Sequence, residues 1–426
     1  MFKYEIQILK DTFSRLLRRK AETNLTKLIK KTHPADLAIL FRYFTDDEQM
    51  QIFKLMSPNN HLLEFLVGLD DIIIGKLLNV EDPERIADII RNASTNNQSF
   101  LLGALNQAKA QSIIHQLNKE EQEEIEAMMA YPKDSAGSLM STDVFTLYQG
   151  TTCANALKTL QHQKDAEMVF YLYITDEDNS LIGVASLRAL ATTTSDTLLK
   201  DIMIKNVHYV RPETDQEDVA QLVAQYNYLA VPVVNNENQL LGIVTVDDVV
   251  DVIREEASED FLKMAGAGKD REILLKSSWD NAKTRLPWLF ASWIGGVITA
   301  SVIGSYEAML ESTIALTAFI PVIIGMGGNI GTQTSTIIVR GIATGRIEIG
   351  NELKVVIKEI KVGFMLGLLY GLLLGMFSHL KFINADPMLG IVVGLSICSS
   401  MLLAVTVGSL IPLMLRKLEI DPAVAT

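Results

Sequence analysis

The chain has 426 residues, with 51 acidic against 38 basic side chains and a net charge of −13, which argues against nucleic acid as a partner and suits a module that meets cations. Nearly half of it is apolar, yet its two cysteines, Cys153 and Cys398, lie far apart, so neither a disulfide framework nor a thiol metal site follows. The length allows about two to four domains. The N-terminal stretch MFKYEIQILKDTFSRLLRRK carries charges throughout and no apolar core. It reads as a helix over residues 1–22 and not as a secretory signal.

Residues 23–131 are helical in pattern. HPADLAIL (33–40) and DPERIADI (82–89) each pair a polar residue with proline and then place apolar residues at helical spacing. Proline in the first turn after a capping residue is a helix-start signal, and its recurrence predicts a small helical superhelix. Alone, this segment would be a structural or protein-binding module.

A second repeat occupies 138–258. SLMSTDVFTL (138–147) matches DIMIKNVHYV (201–210), and LIGVASLRAL (181–190) matches LLGIVTVDDV (240–249). Each copy is expected to run strand, helix, strand, strand, helix, with AEMVFYLYIT (166–175) and NYLAVPVVNN (227–236) as β-type runs. This α/β pattern resembles a tandem pair of CBS domains, 138–199 and 200–258, modules that often sense adenine nucleotides or ions. The resemblance implies a Ser/Thr-x-x-Asp pattern at the last helix, where the Asp meets ribose hydroxyls. The second copy has Thr245 and Asp248; the first has Ser186 and Ala189, with Arg188 available for phosphate. ATP is thus a candidate regulatory ligand, and the other reading makes Thr245 only the N-cap of the next helix.

From Val246 to Lys263 the chain reads VDDVVDVIREEASEDFLK without a helix breaker, the start of an acidic connecting helix expected over 247–276. Seven carboxylates (Asp247, Asp248, Asp251, Glu255, Glu256, Glu259 and Asp260) face only Arg254 and Lys263. Asp248, Asp251, Glu255 and Glu259 fall at three- and four-residue steps, so they share one face. Like charges so spaced repel, and a hard divalent cation would relieve the repulsion. A plain solvated acidic face is the other reading.

Residues 277–426 read as a membrane domain. Uncharged runs cover 286–306, 312–339, 362–380 and 387–415, with the third span drawn back to 358. Lys276, Lys283 and Arg285 precede the first, Arg340, Arg346, Lys354, Lys358 and Lys361 separate the second and third, and Arg416 and Lys417 follow the fourth. The opposite loops hold Glu307 and Glu311, and Lys381 with Asp386. The positive-inside bias makes the large N-terminal part cytoplasmic. The second run contains PVIIGMGGNIGTQTST (321–336), glycines around Asn329, Thr332, Gln333 and Thr334. A carboxamide in hydrocarbon needs a partner or a wet cavity, and Pro321 would free a backbone carbonyl there. Pore wall and glycine-packed helix contact are both open on these residues alone.

The order of helical array, CBS pair, acidic connector, RLPWL (285–289) and GMGGNIGTQ (325–333) resembles the MgtE family of magnesium channels and transporters over essentially the whole chain. That resemblance implies a multi-pass homodimer in the lipid of a bacterial inner membrane. It also implies an ion path on the two-fold axis, and cytosolic Mg2+ that bridges the N-terminal, CBS and connecting elements to close a gate. Asn329 matches the family's pore asparagine, with Thr332 and Gln333 beside it. Asp215, Glu217, Asp248, Asp251, Glu256, Glu259 and Asp260 fall at its acidic sensor positions, and Glu255 joins them from the helix-face reading. Two departures are expected to weaken or shift Mg2+-dependent closure: NNQSFLL (96–102) stands where the family is acidic, and Asn227 replaces a common Asp.

The family has five spans, with a pore aspartate on the fifth. Here LEIDPAVAT (418–426) closes the sequence one turn into what would be that helix, with Asp421–Pro422 as its N-cap and first residue. A related carrier for Co2+ or Mn2+ and a non-conducting ion or nucleotide sensor are therefore the alternatives. The span's ligands, Met326 apart, are not the Cys, Met and His that softer metals favour. No nucleophile–base pair or phosphate loop is visible, and the histidines (33, 61, 115, 162, 208, 379) are scattered, so the chain is not read as an enzyme.

Overall fold

Proline starts two helices of the N-terminal region where the pattern expects. His33 caps Pro34–Phe41 through its Nδ1, which accepts from the Ala35 amide at 3.3 Å, and Asp82 caps Pro83–Arg91 by accepting from the Glu84 amide at 3.2 Å. The computed structural model describes residues 3–57, 60–162, 170–267, 273, 275–347, 350–382, 388–418 and 420–425. The parts of expected elements at 166–169, 268–272, 274 and 386–387 lie outside the described residues. The chain divides into two units, Met1–Ile253 and Arg254–Thr426.

In the first unit, short helices from Lys3–Arg18 to Lys119–Met129 stack around one apolar core. Phe13, Phe41, Phe53 and Phe65 are fully buried, the second and fourth edge-on at 4.9 Å between ring centres. Arg85 ties neighbouring helices together. It bonds the Phe53 and Met56 carbonyls at 3.0 and 2.7 Å, which closes the C-terminal end of Asp46–Lys54, and pairs with Glu81 at 2.8 Å.

The repeated α/β part folds as two small sheets. One runs β1 (Thr146–Tyr148), β2 (Tyr171–Thr175), β3 (Leu181–Ser186), with β1 parallel and β3 antiparallel to β2. The other pairs β4 (Ala230–Val234) antiparallel with β5 (Leu240–Thr245). The two copies interlock. Ser141 of the first bridges Ile243 of the second, and Ile204 of the second bridges Val184 of the first. Gly242 permits this closeness, since a Cβ there would meet the Ser141 carbonyl at 2.6 Å. The strand expected at the start of the second copy is absent. Pro212 brings no amide to a ladder, and besides the Ile204–Val184 bridge the stretch pairs only through Val210, by a single parallel bridge to Val233.

Among the described residues, the second unit holds four helices long and apolar enough to cross a membrane: Ser278–Gly304, Ile314–Ala343, Glu352–Lys381 and Leu389–Lys417. The second begins as a 3-10 turn, Ile314–Phe319, and becomes α-helical at Ile320. Pro321 therefore lies in the first α-helical turn, where a missing amide costs nothing. The expectation that it frees a backbone carbonyl inside the span is corrected accordingly: it lies at the start of the α-helix.

Small residues on the third and fourth spans meet in a seam. Gly363, Gly367, Gly371 and Gly375 recur every fourth residue on the third span and are buried. Added methyls at Gly371 and Gly375 would meet the carbonyls of Gly394 and Gly390 at 2.7 Å. Such close backbone approach replaces the hydrophobic drive that lipid removes. In a helix alanine is favoured over glycine by about 1 kcal/mol, so space decides the sign of a substitution. Gly371→Ala is expected to lose roughly 1–3 kcal/mol through overpacking, while Gly295→Ala, with nothing within 4 Å, loses none. Thermal midpoints in detergent check this, and equal shifts would contradict the seam.

Candidate functional site

The helix Ile320–Ala343 has two unlike faces. Gly327, Ile330, Thr334, Ser335 and Ile338 are buried, and Gly327 and Gly331 lie against the fourth span. A Cβ on Gly327 would meet Ser400 Oγ at 2.6 Å, and one on Gly408 would meet the Gly331 carbonyl at 2.6 Å. The other face carries Gly325, Gly328, Asn329, Thr332 and Gln333, all exposed within this chain. Gly325 and Gly328 have nothing within 4 Å of a would-be Cβ. Packing contact and polar wall are therefore both present, on opposite sides of one helix. A hydrated cation could be held there by the carboxamide and hydroxyl oxygens of Asn329, Thr332 and Gln333.

Sequence reasoning passed over Glu359, a carboxylate near the basic end of the third span that is only 8% exposed. An acidic residue just inside an apolar run is the signal that could have found it.

The acidic helix forms as Val246–Met264. In the second unit, Lys263 pairs with Glu259 at 2.5 Å and with Asp421, whose other oxygen caps the Ala423 amide at 2.8 Å. Burial pulls the Lys263 ammonium down, but hydrogen bonds to Asp421 and Glu259 outweigh it and leave its pKa raised. Asp260 is pushed above the usual carboxylate range, first by burial and then by the Asp421 charge. Glu255 and Glu256 are half-buried and Asp251 is exposed. Among the described residues no three His, Cys, Asp or Glu side chains converge into a metal cage. The donors nonetheless fit Mg2+, which keeps most of its water and takes one or two carboxylates.

In the first unit Asp248 accepts from Thr245 Oγ1 at 2.5 Å and from Asn96 Nδ2 at 3.3 Å. No local sequence signal announces Asn96, because its partner lies 152 residues away. Ser186, the counterpart of Thr245, caps its helix by accepting from the Ala189 amide at 3.1 Å, and Arg188 is exposed. Asp215 is a cap as well, accepting from the Glu217 amide at 2.8 Å. Asp218, not among the expected site residues, is raised by burial and by Asp215. Asn227 closes that helix in the left-handed region at φ 54°, which Asn tolerates better than most residues. Its backbone position accounts for the residue type.

Several known proteins share this organisation. The MgtE family, divalent cation transporters, matches residues 320–426; the CBS domain matches 136–194 and 199–255; the MgtE intracellular N domain matches 32–134. The magnesium transporter MgtE of Thermus thermophilus is 34% identical over 408 residues, 94% of this chain and 90% of that protein. The magnesium transporter MgtE of Enterococcus faecalis is 38% identical over 312 residues, 72% of this chain and 67% of that one. A crystal structure of the cytosolic domain of the Mg2+ channel MgtE in complex with ATP superposes with a TM-score of 0.55 and 32% identity, over 57% of this chain and 99% of that one.

The raised Asp260 carboxyl carries a stability prediction. Its folded pKa lies above its unfolded value, so ionisation near neutral pH opposes folding, and this cost vanishes below the unfolded pKa. Asp260→Asn is therefore expected to raise the thermal midpoint at pH 7 in the absence of divalent ions, with the gain fading toward pH 4. A gain constant across that range would contradict the assignment.

Proposed function

Since the chain belongs to the MgtE family of magnesium transporters, we propose that it carries Mg2+ across the membrane along the polar face of its second span. The observation that carries this reading is the division of Ile320–Ala343 into a buried glycine face and an exposed face holding Asn329, Thr332 and Gln333. Mg2+ gives up its water reluctantly, so neutral amide and hydroxyl oxygens suit it as a hydrated ion. Soft ligands are absent from the exposed positions of that face, which does not favour a carrier for softer metals such as Co2+.

In this reading the transporter is a homodimer, and the partner copy covers the exposed face. The first span, Ser278–Gly304, buries no residue within one chain, which supports further cover by a partner or by lipid. Basic residues bias the N-terminal unit to the cytoplasmic side of a bacterial inner membrane. Asp215, Glu217, Asp248, Asp251, Glu255, Glu256, Glu259 and Asp260 form the cytosolic sensor. When Mg2+ is scarce their like charges repel and the gate opens; bound Mg2+ removes the repulsion and closes it. ATP is assigned to Thr245, Asp248 and Arg188, by analogy with the related cytosolic domain crystallised with it.

Flux into liposomes holding a magnesium dye tests the transport path. Asn329→Ala is expected to lower Mg2+ flux on the order of ten-fold or more, with the protein still folded. Unchanged flux would remove Asn329 from the path, and flux of Co2+ or Mn2+ without Mg2+ would favour the other carriers. For the nucleotide, Arg188→Ala is expected to weaken ATP binding by about ten-fold in calorimetry, the loss of one charge-assisted contact. Equal affinity would take Arg188 out of the site.

A further inference from the structure

The helix Thr95–Gly103 meets one carboxylate directly with a neutral donor and a second through Thr142. Thr142 donates its hydroxyl proton to Glu124, so at the 2.8 Å contact between Thr95 and Thr142 the proton must come from Thr95. Asn96 donates Nδ2 to Asp248. The Asn96 amide cannot turn over freely, because its Oδ1 accepts from Ser94 Oγ at 2.6 Å and from the Asn97 amide at 2.9 Å. Ser94 Oγ in turn accepts from Asn97 Nδ2 at 2.9 Å. That ring fixes which end of the carboxamide Asp248 sees. The other oxygen of Asp248 accepts from Thr245, so the carboxylate that begins the acidic helix is held from two sides.

We propose that Asn96 is a cation-free clasp, holding Asp248 and the start of the connecting helix against the N-terminal helical region without a divalent ion. An N–H donor facing a carboxylate is a charge-assisted hydrogen bond that needs no metal. An aspartate at 96 would keep both acceptor contacts, to Ser94 and Asn97, yet turn an oxygen of like charge toward Asp248. Only a bridging cation could then make the contact favourable. One atom pair, NH2 against O−, thus decides whether this contact depends on Mg2+. The inference rests on the reading that the acidic helix senses Mg2+, and within that sensor it makes the Asn96–Asp248 contact one that needs no cation.

Amide hydrogen exchange of residues 94–104 in the full chain in detergent tests it, with EDTA compared against millimolar Mg2+. The parent chain is expected to exchange at the same rate in both. Asn96→Asp is expected to exchange about ten-fold faster in EDTA and to recover in Mg2+. Asn96→Ala, which loses the bond without adding charge, is expected to exchange faster in both conditions with no recovery. Acceleration of the parent chain in EDTA to match Asn96→Asp would overturn the proposal, and so would parent-like exchange by Asn96→Asp in EDTA. Loss of Mg2+ flux in liposomes alongside the expected exchange pattern would refute the transport reading and leave the clasp standing.

Discussion

Hydrocarbon offers no hydrogen-bond partner and no hydrophobic reward for bringing helices together, and the membrane unit is organised around that double constraint. Helices must then be held by close backbone contact, which only small side chains permit. The third and fourth spans meet this with glycines whose carbonyls lie 2.7 Å from would-be methyls, and the second span meets the fourth through Gly327 and Gly331. Once that side of the second span is committed to packing, helical geometry puts Asn329, Thr332 and Gln333 on the other side. Polar groups there are tolerable only beside water, an ion or a partner. A packed face and a polar face thus share one helix.

The acidic helix follows the opposite rule, with like charges set side by side on one face. Its C-terminal part is not uniformly available to a cation. Lys263 already engages Glu259 and Asp421, and burial with the Asp421 charge makes Asp260 reluctant to ionise. At its start Asp248 is held by Thr245 and Asn96. The row of carboxylates is therefore graded.

Periodic features were legible from residues alone. Proline after a capping residue marked Pro34 and Pro83 as helix starts, and a stretch without a helix breaker marked the acidic helix, which ends at Met264 and not at 276. Four uncharged runs marked the apolar helices. These signals are local, and local physics decides them. What stayed hidden depends on residues distant in sequence. The choice between packing face and polar face on the second span needed the position of Ser400 and Gly408. The role of Asn96 needed Asp248, and the lost strand before Val210 needed its partner at Val233. Pro321 reads as freeing a carbonyl within the span because a proline frees one in a helix interior and none of consequence in a first turn, and only the 3-10 turn before it separates the two.

The central claim is that the second span has a wet face and a dry one. Single cysteines placed along residues 325–338, with Cys153 and Cys398 replaced by serine, can be scored for reaction with a membrane-impermeant thiol reagent in liposomes. Reaction is expected at 325, 328, 329, 332 and 333, slowed by Mg2+ at 329, with 327, 331, 334 and 338 protected. Uniform reactivity, or reaction confined to the 327–331–334 side, would contradict the account.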